Sequence, residues 1–371
     1  MTETHGIREI RVTVVDGEGE RTWLFVEVTT ASGFIGVGEA SQNRLDKGTV
    51  AQIGRLAPLY LGRHPLDLIE ARGQSLRRLD AHRILFAATS ALEQALWDLG
   101  GQIVGEPVHR LLGGAVHERL RLYANIEVAT RSKTPEEYAA NAARAVSEGF
   151  TAVKLNPFRE AARERDGLDR AVARVAAVRA AIGPERDLLV DCVGVLDFAA
   201  ARRALDALAP YDLFWFEQPF PVEDPALLAR LHAETRTRLV GGEQLCGRDA
   251  FRPLLEQGAY DVLNPDVKWV GGILEAKKIA ATAESYGVGI TPHNMSGPIA
   301  TAASVHLAAT LPNFLILEFC WGVTPWRDAL VNGTEIVRDG AISVSMTPGL
   351  GVTLNRDLLE RHRILPVATF S

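Results

Sequence analysis

The run Phe214-Trp215-Phe216 ends in Glu217, and Pro219 closes it two residues later. A carboxylate at the end of an otherwise apolar strand needs a partner. Leu188-Leu189-Val190 ends the same way in Asp191, and Leu239-Val240-Gly241-Gly242 leads into Glu243. The three acids are evenly spaced, one strand-plus-helix unit apart. If the strand ends converge, three carboxylates would repel one another strongly without a cation. Three oxygen ligands on separate rigid strands suit Mg²⁺, which keeps positions open for water or substrate. No cysteine or paired histidine falls in phase with them, which argues against zinc. An arginine at the rim could account for one such acid, but not for all three.

Other polar residues keep the same phase. Lys154 sits in Ala152-Val153-Lys154-Leu155-Asn156. Residues two apart share a face of a strand, so Lys154 and Asn156 point the same way. Lys154 is either a partner that balances the acids or a cation that receives developing negative charge. Asp266 and His293 end successive strands. A carboxylate bonded to one imidazole nitrogen fixes the tautomer and raises the basicity of the other, so His293 is the candidate base. Glu318 ends the last strand and, if protonated, could donate a hydrogen bond to an oxyanion. His306 reads as a helix-surface or packing residue.

The elements that must position these groups form two regimes. Three closely spaced strands, near 7–15, 23–30 and 34–38, suggest an antiparallel meander. A helix follows with Ala88, Ala91, Leu92, Ala95, Leu96 and Leu99 on one face. Gly100-Gly101 is expected to weaken its end. From Leu120 the pattern becomes a β/α alternation of eight strands. Thr134-Pro135-Glu136-Glu137 is a helix start with an N-cap, a proline at N1 and a glutamate at N3. Chemistry at the end of nearly every strand describes a closed barrel with one mouth, rather than an open sheet with one switch point. The expected division is an N-terminal α+β unit over 1–117, a barrel over 118–322 and a tail over 323–371.

The chain has 371 residues, enough for a barrel of about 250 residues and a second, smaller unit. Its net charge of −6, with no basic block, argues against a nucleic-acid partner. No apolar run approaches the length of a membrane span, and the N-terminus lacks the layout of a signal peptide. Three cysteines without a CxxC pair read as buried thiols in a reducing compartment. The expectation is a soluble, cytoplasmic protein.

Together, Lys154-x-Asn156, Asp191, Glu217, Glu243, Asp266, His293 and Glu318 resemble the enolase superfamily, in its mandelate racemase subgroup. The stretches Ser90-Ala91-Leu92-Glu93-Gln94-Ala95-Leu96-Trp97-Asp98 and Leu111-Leu112-Gly113-Gly114 look like that family's capping-domain helix and its exit. The resemblance implies an α/β fold: a (β/α)7β TIM-type barrel under an N-terminal α+β capping domain that the C-terminal tail joins. It implies one Mg²⁺ on Asp191, Glu217 and Glu243, and abstraction of the proton α to a carboxylate. Enolase-type sites use a Lys or His base with Mg²⁺. It also implies a small carboxylate substrate and a homo-oligomer.

Two departures narrow the chemistry. The subgroup's racemases carry a second lysine where this chain has Asn156, which cannot take a proton. One base, His293, favours β-elimination over racemisation, as in the acid-sugar dehydratases, which make a 2-keto-3-deoxy acid from an aldonate or aldarate. Galactonate-dehydratase-like members carry a histidine where this chain has Val193, so the acid for the leaving group is open. On this reading Lys154 and Mg²⁺ stabilise the enediolate, and Glu318 hydrogen-bonds the substrate carboxylate. A racemase, epimerase or cycloisomerase using Lys154 as second base is the alternative, followed by a catalytically silent binding protein. The turn at 16–21 is short. It leaves the mouth open, or closed by the segment 36–47 or another subunit.

Overall fold

The structure is a computed structural model describing residues 5–18, 21–41, 45–69, 82–159, 165–221, 223–333 and 337–371. The chain opens with an antiparallel meander of β1 (Ile7–Asp16), β2 (Thr22–Thr30) and β3 (Ile35–Glu39). Alternation puts Ile10, Val12 and Val14 of β1 in the core. Helices α1 (Asp46–Leu56) and α2 (Arg83–Val104) follow, with α2 lying on β3. The predicted apolar face of α2, from Ala88 to Leu99, is buried.

Gly100-Gly101 does not interrupt α2. The helix runs through both glycines to Val104 and stops at Gly105, which takes the left-handed conformation at φ 77°. Gly101 is instead a point of close approach. A Cβ there would lie 2.6 Å from the backbone of both Gly349 and Glu106.

The barrel strands are β4 (Arg119–Asn125), β5 (Ala152–Leu155), β6 (Asp187–Asp191), β7 (Trp215–Glu217), β8 (Leu239–Gly241), β9 (Val262–Leu263), β10 (Gly289–Ile290) and β11 (Leu317–Cys320). Between them run α3 (Pro135–Ser147), α4 (Gly167–Ile182), α5 (Phe198–Leu208), α6 (Pro225–Ala233), α7 (Arg248–Glu256), α8 (Ile273–Ser285) and α9 (Pro298–Ala309). Parallel pairing passes in order from β4 to β10, and β11 pairs with β4. A bridge from Ile290 to Phe314 closes the ring. This is a (β/α)7β barrel. Thr134 caps α3 as expected, its hydroxyl accepting from the Glu137 N–H. Inside the barrel, Tyr123, Leu189, Trp215, Val240 and Ile316 form a separate apolar layer beneath the mouth.

The tail breaks the β/α rhythm. It forms β12 (Val331–Gly333), β13 (Val337–Arg338), β14 (Ala341–Ser343), β15 (Val352–Leu354), α10 (Arg356–His362) and β16 (Ala368–Phe370). Strand β14 pairs with the start of β4, and β16 adds to β1. The chain thus returns to its first sheet.

Two barrel helices borrow their N-caps from the N-terminal region. Gly272 and Gly297 precede α8 and α9 and supply no capping side chain. Glu93 of α2 accepts from the Ile273 and Leu274 N–H groups at 2.7 and 2.9 Å. Glu39 of β3 accepts from Gly297 and Ala300 at 2.7 and 2.9 Å. A carboxylate there meets unpaired N–H groups and the positive end of the helix dipole.

Gly101→Ala is expected to destabilise by about 1–3 kcal/mol through overpacking against backbone. Gly105→Ala, with open space around its Cβ, carries only the left-handed penalty of roughly 1 kcal/mol. Urea unfolding of both variants checks the order. A milder loss for Gly101→Ala would show that the Gly349 contact is not tight.

Candidate active site

Parallel register sets Asp191 of β6 directly beside Glu217 of β7. Glu243 lies just past β8, and Gly242, at φ 110°, makes the turn that delivers it. Asp191, Glu217 and Glu243 are all buried. The Lys154 ammonium of β5 stands among the acids, 3.3 Å from Asp191, 3.0 Å from Glu217 and 2.8 Å from Glu318. Glu217 also accepts from Asn264 Nδ2 and Trp215 Nε1. Burial nevertheless pushes Glu217 up to about 8, against the pull of Lys154 and with the push of its acidic neighbours. Asp191 is raised for the same reasons. Burial works against the Lys154 charge, but Glu217 and Glu318 hold its pKa well above the ordinary lysine value.

His293 Nδ1 lies 2.7 Å from Asp266 Oδ2. Its Nε2 faces the other acids, 3.3 Å from Glu243 and 3.7 Å from Glu318. Burial disfavours the imidazolium, but Glu243, Glu318 and Asp266 outweigh it and raise His293 to about 9. Burial would raise Asp266 too, yet Lys268 and His293 bring it down to about 2. Trp269 stacks on the His293 ring with centroids 5.2 Å apart, and the Arg83 guanidinium covers the indole at 3.6 Å.

The sequence-predicted residues come together. Lys154, Asn156, Asp191, Glu243 and His293 line one cavity of about 280 Å³ at the barrel mouth. Glu217, Asp266 and Glu318 sit behind them, fully buried. Asn156 faces the cavity with its Nδ2 buried and without a hydrogen-bond partner among the described residues. From the 16–21 turn, Arg21 reaches the cavity, and Ser41 does so from the 36–47 segment. Positions 19–20 and 42–44 of those segments lie outside the described residues.

The structure corrects the reading of Glu318. It lies inside β11, opposite Tyr123, rather than at the strand's end. It is also ionised: burial would raise it, but Lys154 and His293 pull it to about 2. Glu318 accepts from Asn125 Nδ2 and the Asn294 N–H, so it donates nothing. His306 is a packing residue, buried and stacked on His109.

Sequence reasoning missed Lys268, whose buried ammonium donates to Asp266 and to Ser296 Oγ. The signal was present. Asn264, Asp266 and Lys268 alternate just as Lys154 and Asn156 do, and all three are buried at the site.

Asp191, Glu217, Glu243, Asp266 and Glu318 thus face two ammonium groups and one imidazole. Among the described residues, no three acidic, imidazole or thiol groups are already drawn onto a common point. The surplus negative charge, and the raised pKa values it helps produce, still fit a hard divalent cation taken by oxygen donors.

A (β/α)7β barrel with acids in succession on its strand ends, and an Asp-His pair beside them, defines an enolase-type barrel. The chain belongs to the mandelate racemase / muconate lactonizing enzyme family. Residues 6–113 match that family's N-terminal domain, and residues 137–358 match the enolase C-terminal domain-like family. It is 31% identical to a D-xylonate dehydratase of Haloferax volcanii over 96% of this chain and 89% of the relative. It is 33% identical to a D-galactonate dehydratase of Ralstonia nicotianae over 93% of this chain and 92% of that one. A solved mandelate racemase/muconate lactonizing enzyme from a Sulfitobacter species superposes with a TM-score of 0.89 at 32% identity, covering 96% of this chain and 95% of the other. Among the described residues, no helix is long and apolar enough to cross a membrane.

Removing one member of a buried ion pair leaves the other uncompensated. Lys268→Met is therefore expected to cost about 3–5 kcal/mol in urea unfolding. Adding Asp266→Asn should restore part of that loss in a double-mutant cycle. Strictly additive losses would show that the pair does not act as a unit.

Proposed function

We propose that the chain is a Mg²⁺-dependent acid-sugar dehydratase. The observation that carries the reading is His293 Nε2 at the cavity, backed by Asp266, with Asn156 rather than a second base across the barrel. The relatives named as dehydratases of xylonate and galactonate support the substrate class.

Asp191, Glu217 and Glu243 would hold the Mg²⁺. When bound, it supplies positive charge against the substrate carboxylate and against Glu243, whose charge otherwise helps keep His293 protonated. His293 Nε2 takes the proton α to the substrate carboxylate, while Asp266 holds Nδ1–H and so fixes the tautomer. The electron pair of that C–H bond moves toward the carboxylate, where the Lys154 ammonium faces the growing charge. Glu318 acts through Lys154, fixing its ammonium at 2.8 Å. The spare Nδ2–H of Asn156 is available to a substrate hydroxyl. As the β C–O bond breaks, the leaving hydroxyl needs a proton. Val193 has none to give, so His293 returns the one it took. Water leaves, and the remaining enol tautomerises to a 2-keto-3-deoxy acid.

Racemisation, epimerisation or cycloisomerisation with Lys154 as second base is disfavoured. Three carboxylates surround that ammonium and keep it protonated. Nothing specific favours a silent binding protein.

We further infer a capping unit over 1–117, a catalytic barrel over 118–322 and a tail over 323–371 that packs back on the cap. The antiparallel pairing of β16 with β1 supports the last point. Three unpaired cysteines suit the cytoplasm, and the family resemblance suits a homo-oligomer.

The test is a screen of mono- and diacid sugars with Mg²⁺, scored for 2-keto-3-deoxy product. His293→Asn is expected to lower kcat by about 10²–10⁴-fold. Chelation should abolish turnover and added Mg²⁺ restore it. In deuterium oxide, recovered substrate inverted at Cα would sink the dehydratase reading.

A further inference from the structure

The cavity lining takes charged groups both from the strand ends and from the loops above them. Its floor carries the acids, Lys154 and His293. Its rim carries two guanidinium groups, Arg21 and Arg159. Each comes from a loop rather than a strand. Arg21 closes the turn between β1 and β2, and Arg159 follows β5.

The Arg21 guanidinium is placed by its neighbours. Glu18 of the same turn accepts from Thr324 Oγ1 and Trp326 Nε1, both at 3.2 Å, so the C-terminal tail clasps the turn. The Gly17 N–H donates to the Arg21 carbonyl. Arg21 Nη1 then lies 3.8 Å from Cys320 Sγ, at the end of β11. Cys320 is in register with Asn125, the last residue of β4. Arg21 therefore stands over the β11–β4 edge of the mouth, and Arg159 stands beyond β5, on the other side of β4.

Neither guanidinium meets a carboxylate among the described residues. The loop acid in the lining, Glu127, is already taken: Lys133 Nζ, the Tyr138 hydroxyl and the Asn156 N–H all donate to it. Glu18 is turned outward onto Thr324 and Trp326. A rim built for a neutral hydroxymethyl group would need only neutral hydrogen-bonding partners. Two guanidiniums that meet no carboxylate among the described residues instead match a planar anion by charge-assisted, bidentate hydrogen bonds.

Resting on the dehydratase reading, we propose that the substrate carries a second carboxylate at the end remote from the reacting one, bound between Arg21 and Arg159. The substrate class is then the aldarates. This separates the chain from its relatives named for xylonate and galactonate, acids whose far end is a neutral hydroxymethyl group.

The experiment compares kcat/KM for galactarate and glucarate with that for galactonate, gluconate and 6-phosphogluconate, using the full chain with Mg²⁺. The diacids are expected to exceed the matching monoacids by roughly tenfold or more. Arg21→Gln and Arg159→Gln should each pull the diacid-to-monoacid ratio toward one. Circular dichroism confirms that the variants are folded. Equal use of mono- and diacids by the wild type, or an unchanged ratio in the folded double variant, overturns the proposal and leaves dehydration standing. A preference for 6-phosphogluconate over both diacids overturns the terminal carboxylate in favour of a phosphate. If no acid is turned over, dehydration falls, and thermal shift with the same acids decides the rim. A larger Tm rise with galactarate than with galactonate, lost in Arg21→Gln, supports the proposal, and equal shifts overturn it.

Discussion

The structure depends on how much negative charge can be buried at one end of a barrel. Asp191, Glu217, Glu243, Asp266 and Glu318 all lie out of solvent around the mouth. Desolvating that many carboxylates is costly, and buried ion pairs recover the cost only with good geometry. The chain divides the task between two buried lysines. Lys154 answers Asp191, Glu217 and Glu318, while Lys268 answers Asp266. The apolar layer of Tyr123, Leu189, Trp215 and Ile316 below supplies burial that offsets the cluster. What remains is a shortage of positive charge at the point where strand ends converge, which the proposed Mg²⁺ would make good.

The Asp266–His293 pair depends on the N-terminal region as well as on the barrel. Asp266 and His293 follow β9 and β10, and the next helices are α8 and α9. Those are the two helices whose N-termini Glu93 and Glu39 cap from outside the barrel. A Cβ on Gly272 or Gly297 would run into the capping carboxylates, so glycine at each N-cap makes room for the borrowed acid. The Trp269 indole, stacked on His293, donates to the Ser41 carbonyl just past β3. Loss of registry between the first sheet and the barrel would therefore reach the imidazole through three separate contacts.

The acid ladder was legible because barrel strands repeat one unit and deliver one residue each to the same mouth. The Asp-His pair and Lys154 were legible for the same reason. Charge state was not. Whether Glu318 is protonated depends on an ammonium 2.8 Å away, a distance no periodicity encodes. Lys268 could have been found by the i, i+2 rule that found Asn156. Its position in the loop after Asp266, past the end of β9, hid it. Gly101 looked like a weak point near a helix end because glycine is ambiguous in sequence. The backbone of Gly349, which it touches, lies far along the chain. Arg21 was invisible because its reach into the cavity depends on the tail that clasps its turn.

Val193 follows the first acid of the ladder and lines the cavity. A β-branched residue at φ 43° is strained, at a cost of about 1–3 kcal/mol. The strain is held by hydrogen bonds on both sides of the residue. The Val193 N–H donates to Asp191 Oδ1 at 2.8 Å, and the Gly194 N–H donates to the Gln218 carbonyl. The strained turn thus aims the first acid of the ladder and ties its loop to the strand of the second. The side chain at this position contributes no proton. Among the described residues lining the cavity, His293 is the one imidazole. In the proposed dehydration, removal of the proton from Cα and its delivery to the leaving hydroxyl would therefore both pass through that ring, on a single face of the substrate.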